Sequence, residues 1–281
     1  MKKIVIFGAS GYFGKKFHSA FKDRGYEVIT DRVDISCYNS VFSHIEKHRP
    51  DIVLNCAGKT GTPNVDWCEF HKEETSKINI AGALFIASAS SALSVYAVHL
   101  GSGCVYTGDN NGKGFKEDDE PNFTGSFYSY TKAVSEKLLT HFAPLQLRIR
   151  IPLEADSSSK NVIDKLLAYK KLISIENSIT VVEDFIPASI FLMEKRERGI
   201  FNMTNIGSIT HKEIMDAYTE IVDPAKSFEY MELAELEASV CAPRSNCVLS
   251  SEKREKAGAF MPDIKTRVRE ILQEYKIRNK K

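Results

Sequence analysis

Ile4-Val5-Ile6-Phe7-Gly8-Ala9-Ser10-Gly11-Tyr12-Phe13-Gly14 decides the fold of this chain. Four apolar residues, enough for a short strand, run into a glycine turn, and a helical pattern over residues 13–24 follows. Gly8 permits the tight turn, Gly11 lets the backbone come close to a pyrophosphate, and Gly14 lets the helix pack closely on the strand. The first helical turn, with Tyr12 and Phe13, offers unpaired N–H groups and partial positive charge to the phosphates. The spacing is GxxGxxG, and its strand–turn–helix setting points to a bound dinucleotide.

Working outward, strand and helix patterns alternate. Strands are expected at 27–29, 51–55, 95–100 and 145–151. Helices are expected at 38–48 (stopped by Pro50), 69–91 and 129–141. This alternation predicts an α/β fold, a Rossmann-type doubly wound parallel sheet covered on both faces. The pattern weakens after Pro152. There a polar loop (154–160), a helix (163–172), a strand (180–182), a helix (185–195), a strand (200–202) and a last helix (264–275) are expected. Residues 1–152 read as the NAD(P)-binding domain. Residues 153–281 read as a smaller, mainly substrate-binding region, with part of 178–205 returning to the sheet.

Composition narrows the function classes. The 281 residues carry a net charge of +1, so no charge excess points to nucleic acid or a membrane surface. The Lys-rich end (Lys276, Arg278, Lys280, Lys281) reads as a solvated terminus. The six cysteines form no CxxC pair and no histidine lies at zinc spacing, so no metal is expected and a reduced, cytoplasmic setting fits best. The apolar run at residues 4–7 is too short for a signal peptide, and no stretch approaches the roughly 20 residues that span a bilayer.

The second chemical motif is Tyr128-Ser129-Tyr130-Thr131-Lys132 at a helix start. Positions i and i+4 share a helical face, so Tyr128 and Lys132 point into one space, while Tyr130 faces away. Carbonyl reduction needs a proton donor at oxygen while hydride reaches carbon. A lysine cation about 4 Å from the phenol is worth roughly 4 kcal/mol at an effective dielectric of ~20. That would lower a phenol pKa of ~10 by about 3 units, into usable range. Ser102, at the carboxyl end of the fourth strand where ligands bind in open α/β sheets, is the third candidate. His99, just before it, reads as structural.

Cofactor choice rests on residues 31–35. Asp31 suits a ribose 2′-hydroxyl, and Arg32 suits a 2′-phosphate. Asp34 and Ile35 are candidates to line the adenine. NADPH is favoured, with NADH open. Asn55-Cys56-Ala57-Gly58 ends the third strand, and its small residues let the cofactor lie near the backbone.

Together, the glycine loop, Ser102 and Tyr128…Lys132 resemble the extended short-chain dehydrogenase/reductase family. Within it, the chain is similar to dTDP-4-dehydrorhamnose reductases. It is closer to the bifunctional UDP-4-keto-6-deoxy-D-glucose 3,5-epimerase/4-reductases of plants and large DNA viruses. The resemblance lies in Gly61-Thr62-Pro63-Asn64-Val65-Asp66-Trp67-Cys68-Glu69, Gly103-Cys104-Val105-Tyr106, Gly114-Phe115-Lys116-Glu117, Pro121-Asn122-Phe123-Thr124-Gly125-Ser126-Phe127-Tyr128-Ser129 and Ala242-Pro243-Arg244-Ser245-Asn246. Residues 31–34 depart from the plant pattern.

The resemblance implies 3,5-epimerisation of a UDP-4-keto sugar followed by 4-keto reduction, with Cys104 and Lys171 as the epimerase pair and Lys170 as a rival. It also implies substrate contacts from Thr60, Asn64, Asp66, Trp67, Glu69 and Arg244, a role for Asn79 at cofactor or backbone, and a possible homodimer through the helices carrying Asn79 and Tyr128. A reductase without epimerase activity and a non-catalytic NADP-binding regulatory subunit are the alternatives.

Overall fold

The computed structural model describes residues 1–279. Lys280 and Lys281 of the basic end lie outside the described residues. Lys276 and Arg278 are tied down, Lys276 to the Ile221 carbonyl and Arg278 to Asp156 and Glu274.

The first half runs β1 (Lys3–Phe7), α1 (Tyr12–Asp23), β2 (Glu27–Ile29), α2 (Tyr38–His48), β3 (Ile52–Asn55), α3 (Asp66–Phe70), α4 (Lys72–Ser76), a π-helical turn (Lys77–Gly82), α5 (Ala83–Ala92), β4 (Tyr96–Ser102), α6 (Phe127–Leu139) and β5 (Leu145–Ile149). The second half runs β6 (Pro152–Leu153), α7 (Val162–Ala168), β7 (Lys171–Leu172), β8 (Thr180–Val181), α8 (Val182–Glu194), β9 (Gly199–Asn202), α9 (His211–Ile221), β10 (Glu229–Tyr230), α10 (Leu233–Ser239), α11 (Glu252–Lys256) and α12 (Ile264–Arg278).

Six parallel strands form the central sheet in the order β2-β1-β3-β4-β5-β9. The chain goes from β1 outward to β2 on one side and to β3 on the other. The crevice over the carboxyl ends of β1 and β3 is therefore the topological switch point, where such sheets bind ligands. Strand periodicity explains the two layers. Ile4 and Ile6 of β1 face a core built with Phe13, Phe17 and Phe21 of α1 and Phe185 of α8. Val5 and Phe7 face the opposite core, with Val41 and Ile45 of α2 and Ile86 of α5. Both faces are covered, which is why these strands read as continuous apolar runs. A third core joins α7, α9 and α12 below the short β6–β8 pair.

Local departures from the sequence pattern have physical causes. The single helix expected over 69–91 is interrupted at His71, whose φ of −128° and ψ of 49° are not helical, and it contains a π turn. The helix expected over 163–172 stops at Ala168, because Lys171–Leu172 pairs as a strand with β10. Helix α2 ends as Pro50 requires, with Arg49 in the left-handed region. Among the described residues, no helix is long and apolar enough to cross a membrane.

Candidate active site

The glycine loop is shaped by close approach. A Cβ on Gly8, at φ +77°, would sit 2.6 Å from the Ala57 nitrogen. One on Gly14 would sit 2.2 Å from the Gly8 carbonyl oxygen. Gly11 occupies the N-cap of α1 and supplies no side-chain cap, and the first turn has no acidic residue. The helix therefore presents bare N–H groups at the switch point, as a diphosphate requires. Phe13 contributes only backbone there, since its ring is buried 5.4 Å from that of Phe185. The Tyr12 hydroxyl donates to Glu154 at 2.5 Å and so ties the loop to the segment after β6.

Past β2, a cavity of about 340 Å³ is lined by Arg32, Val33, Asp34, Ser40, Ser43, His44 and Lys47. Two cationic side chains and two hydroxyls suit a phosphate monoester. Asp31 is exposed, 3.5 Å from His48. Asp34 accepts from the Ser36 N–H and hydroxyl, which hold its carboxyl below the usual range. Ile35 is buried, and a Cβ on Gly82 would meet its Cδ1 at 2.7 Å, so it serves as packing between the layers.

Cys56, Ala57 and Gly58 follow β3, with the Ala57 N–H donating to the Asn55 side chain at 2.9 Å. Asn79, on the π turn, bonds both the N–H and the carbonyl of Lys59 (2.8 and 3.0 Å) and the Thr131 hydroxyl (3.1 Å). Its polar atoms are spent on fixing this loop against α6, which makes it a positioning residue.

Helix α6 begins at Ser126, whose hydroxyl accepts from the Ser129 N–H at 3.1 Å. Glu69 accepts from the Phe127 N–H at 2.6 Å, a cap on the helix that carries the tyrosine. Tyr128 is half-buried beside Ser102, while Tyr130 is 47% exposed and points to solvent. Lys132 is buried on the same helix and donates to the Leu100 carbonyl at 3.1 Å.

Burial raises the Tyr128 phenol above its usual range and the nearby Cys104 sulfur adds to this, while the Ser102 hydroxyl and the Arg150 charge oppose it. Burial brings Lys132 itself down to about 8, against the support of Glu136 and Cys104.

Strand β4 ends at Ser102, and the turn beyond it folds back, with the Cys104 N–H donating to Ser102 Oγ at 3.1 Å. Cys104 thus reaches the site through a turn rather than by strand alternation. Arg150, fully buried, donates to the Cys104 sulfur at 2.9 Å and to the Ser245 carbonyl at 2.6 Å, and it also bonds Asn177. Burial opposes its charge, but the Cys247 and Cys104 sulfurs hold its pKa above the ordinary arginine value. Nothing in the local sequence marks Arg150. Its importance comes from a long-range contact.

Lys171 is not brought to this group. Its position on β7 is exposed, and its amine bonds Glu235 at 2.7 Å; Lys170 is likewise exposed. Besides Lys132, a second lysine that feels Cys104 is Lys165, on α7. Burial lowers its pKa, Lys160 adds to that, and Cys104 opposes it. Helix α7 ends at Ala168, which puts residue 171 on a strand.

On the outer wall, Asp66 and Arg244 bind each other, with two contacts at 2.7 and 2.9 Å, and Asp66 also accepts from the Ala242 N–H. Much of the Arg244 fork is committed to this bridge, which ties the 242–246 loop to α3. Trp67 stacks on His71 at 3.8 Å under Lys59, Asn64 accepts from the Asp66 N–H, and Thr60 is exposed.

A glycine-loop helix, a parallel-sheet switch point and a Ser102–Tyr128–Lys132 group beside it define a short-chain dehydrogenase/reductase architecture. The family model described as RmlD substrate binding domain matches residues 1–277, and the chain belongs to that family. Among its relatives is the bifunctional dTDP-4-dehydrorhamnose 3,5-epimerase/dTDP-4-dehydrorhamnose reductase of Arabidopsis thaliana. The two are 36% identical over 257 residues, covering 89% of this chain and 85% of the relative. A trifunctional UDP-glucose 4,6-dehydratase/UDP-4-keto-6-deoxy-D-glucose 3,5-epimerase/UDP-4-keto-L-rhamnose-reductase of the same plant is 37% identical, and the chain spans 41% of its length. The crystal structure of the L780 UDP-rhamnose synthase from Acanthamoeba polyphaga mimivirus superposes with a TM-score of 0.94 at 32% identity. It covers 97% of this chain and 99% of that one.

Proposed function

We propose that the protein converts UDP-4-keto-6-deoxy-D-glucose to UDP-L-rhamnose, by epimerisation at C3 and C5 and reduction at C4 in one site. The observation that carries this reading is the position of Cys104. It lies against Arg150, within the electrostatic reach of Tyr128, Lys132 and Lys165, one turn beyond Ser102. A reductase alone has no need of a thiol and a second lysine beside its tyrosine.

The chemistry is coherent because C3 and C5 both flank the C4 carbonyl. Ser102 and Tyr128 hold the carbonyl oxygen, which polarises it and stabilises the enolate formed when an adjacent proton leaves. Cys104, held against Arg150, takes the proton. Lys165, with its lowered pKa, returns one on the other face. Arg32 and Lys47 would hold the adenosine phosphate of NADPH, which would supply the hydride to C4, with Tyr128 as the proton donor to the oxygen. The relatives named for epimerase and reductase activities support this order. A homodimer belongs to the same proposal, since Phe70, Tyr130 and Leu138 leave apolar surface exposed on α3 and α6; light scattering of the purified protein tests it.

The test of the reaction is Cys104→Ala. The variant should lose conversion of UDP-4-keto-6-deoxy-D-glucose while still oxidising NADPH with the already epimerised 4-keto-L-rhamnose nucleotide. Normal epimerisation by this variant would end the assignment.

A further inference from the structure

Behind Lys132, on β4, lies the buried imidazole of His99. Its Nε2 is 3.4 Å from Lys132 Nζ, and its Nδ1 is 3.1 Å from the Asn55 side-chain nitrogen. The orientation of the Asn55 amide is set from elsewhere. Its oxygen accepts from the Ala57 N–H at 2.9 Å, so its NH₂ must face His99. An NH₂ only donates, so His99 Nδ1 must offer a lone pair. A neutral imidazole holds one proton, which therefore sits on Nε2 and points at Lys132. Burial and the Lys132 charge both hold His99 well below its usual pKa, so it is neutral.

An ammonium has donors and no lone pair. Against it, the His99 Nε2–H would face another donor. A neutral amine accepts from that N–H and still donates to the Leu100 carbonyl. We propose that Asn55 and His99 are positioning residues for Lys132: the amide fixes the imidazole tautomer, and the imidazole N–H favours the neutral amine. The proposal rests on the reductase reading above, but it concerns the proton on one lysine and can be measured apart from turnover.

The other groups around this contact leave it decisive. From α5, only Ala83, Ile86 and Ala87 line the space beside His99. On Lys132, Glu136 from its own helix and Cys104 from the turn after β4 favour the charged form, and burial opposes them. The consequence is a lysine that exchanges its proton near neutral pH. Its cation is present below its pKa and lost above it. The alkaline limb of kcat/KM should then fall near pH 8, where a solvated lysine would titrate near ~10.4. Removing the imidazole N–H should return the amine toward that value by about one unit, a tenfold change in its proton equilibrium.

The experiment uses the full chain labelled with ¹⁵N-histidine and ¹³C-lysine. Nitrogen chemical shifts should show His99 protonated at Nε2 and bare at Nδ1. The Lys132 ε-carbon, assigned by its loss in Lys132→Met, should titrate near 8 and shift upward in His99→Phe or His99→Leu. A protonated Nδ1 would overturn the proposal in the wild-type protein, whether or not either variant folds. So would a Lys132 that stays charged through pH 10, or an unchanged titration in a folded variant. The expected titrations in a protein that reduces no sugar nucleotide would uphold this inference and remove the function proposed above.

Discussion

Glu136→Gln should cost stability and move catalysis at once, because Glu136 stands between the buried Arg148 and Lys132, the lysine proposed for catalysis. Its two oxygens accept from Arg148 Nε at 2.6 Å and Nη2 at 2.7 Å, with the arginine side chain 1% exposed and the glutamate 8%. Breaking one partner of such a buried pair typically costs about 3–5 kcal/mol. Arg148 keeps neutral acceptors at Asn202 (3.3 Å), Glu117 (3.2 Å) and Lys116 (3.4 Å), which places the loss near the low end. At roughly 2–4 °C per kcal/mol for a chain of this size, a loss of about 3 kcal/mol lowers Tm by roughly 6–12 °C. Calorimetry and urea titration read this directly. A loss below about 1 kcal/mol, the size of an exposed pair, would refute the reasoning. The second effect has a definite sign. Glu136 supports the Lys132 charge, so its removal should lower that pKa further below about 8 and pull the alkaline limb of activity to lower pH.

Five further substitutions separate roles within the site. Lys165→Met should abolish epimerisation, and Lys171→Ala should leave both reactions intact; the reverse pattern, in product analysis of each variant, would restore the lysine implied by the family resemblance. Arg32→Ala should erase a preference for NADPH over NADH in the ratio of kcat/KM values, because Arg32 lines the cavity assigned to the adenosine phosphate. Asp66→Ala and Arg244→Ala should each raise KM for the sugar nucleotide. Their double-mutant cycle should show a coupling of about 1 kcal/mol in stability, since the pair is only partly exposed and binds through two contacts.

The sheet was legible because its signals are local. Ile4 through Gly14 announce a strand, a turn and a helix in eleven residues. The i,i+4 spacing of Tyr128 and Lys132 needs only α6 to place both. What stayed hidden depends on long-range contacts. Arg150 looks like any strand-end arginine until residues 104, 177 and 245 converge on it. Glu69 on α3 accepts from the Phe127 N–H, and Asn79 on the π turn bonds the Lys59 backbone and the Thr131 hydroxyl; composition gives no sign of either choice. Lys171 sits past a helix boundary that the pattern did not show, where a two-residue strand pairing with β10 overrides the helical pattern. Ile35 packs its apolar side chain over Gly82, a contact that its position after β2 does not announce.

The central claim is that one site performs both epimerisations and the reduction. Incubating the purified chain with UDP-4-keto-6-deoxy-D-glucose and NADPH in D₂O, with no other enzyme, tests it most directly by NMR of the product. UDP-L-rhamnose carrying deuterium at C3 and C5 and the NADPH hydrogen at C4 is the predicted result. A reduced sugar with protium at C3 and C5, or no product at all, would contradict it.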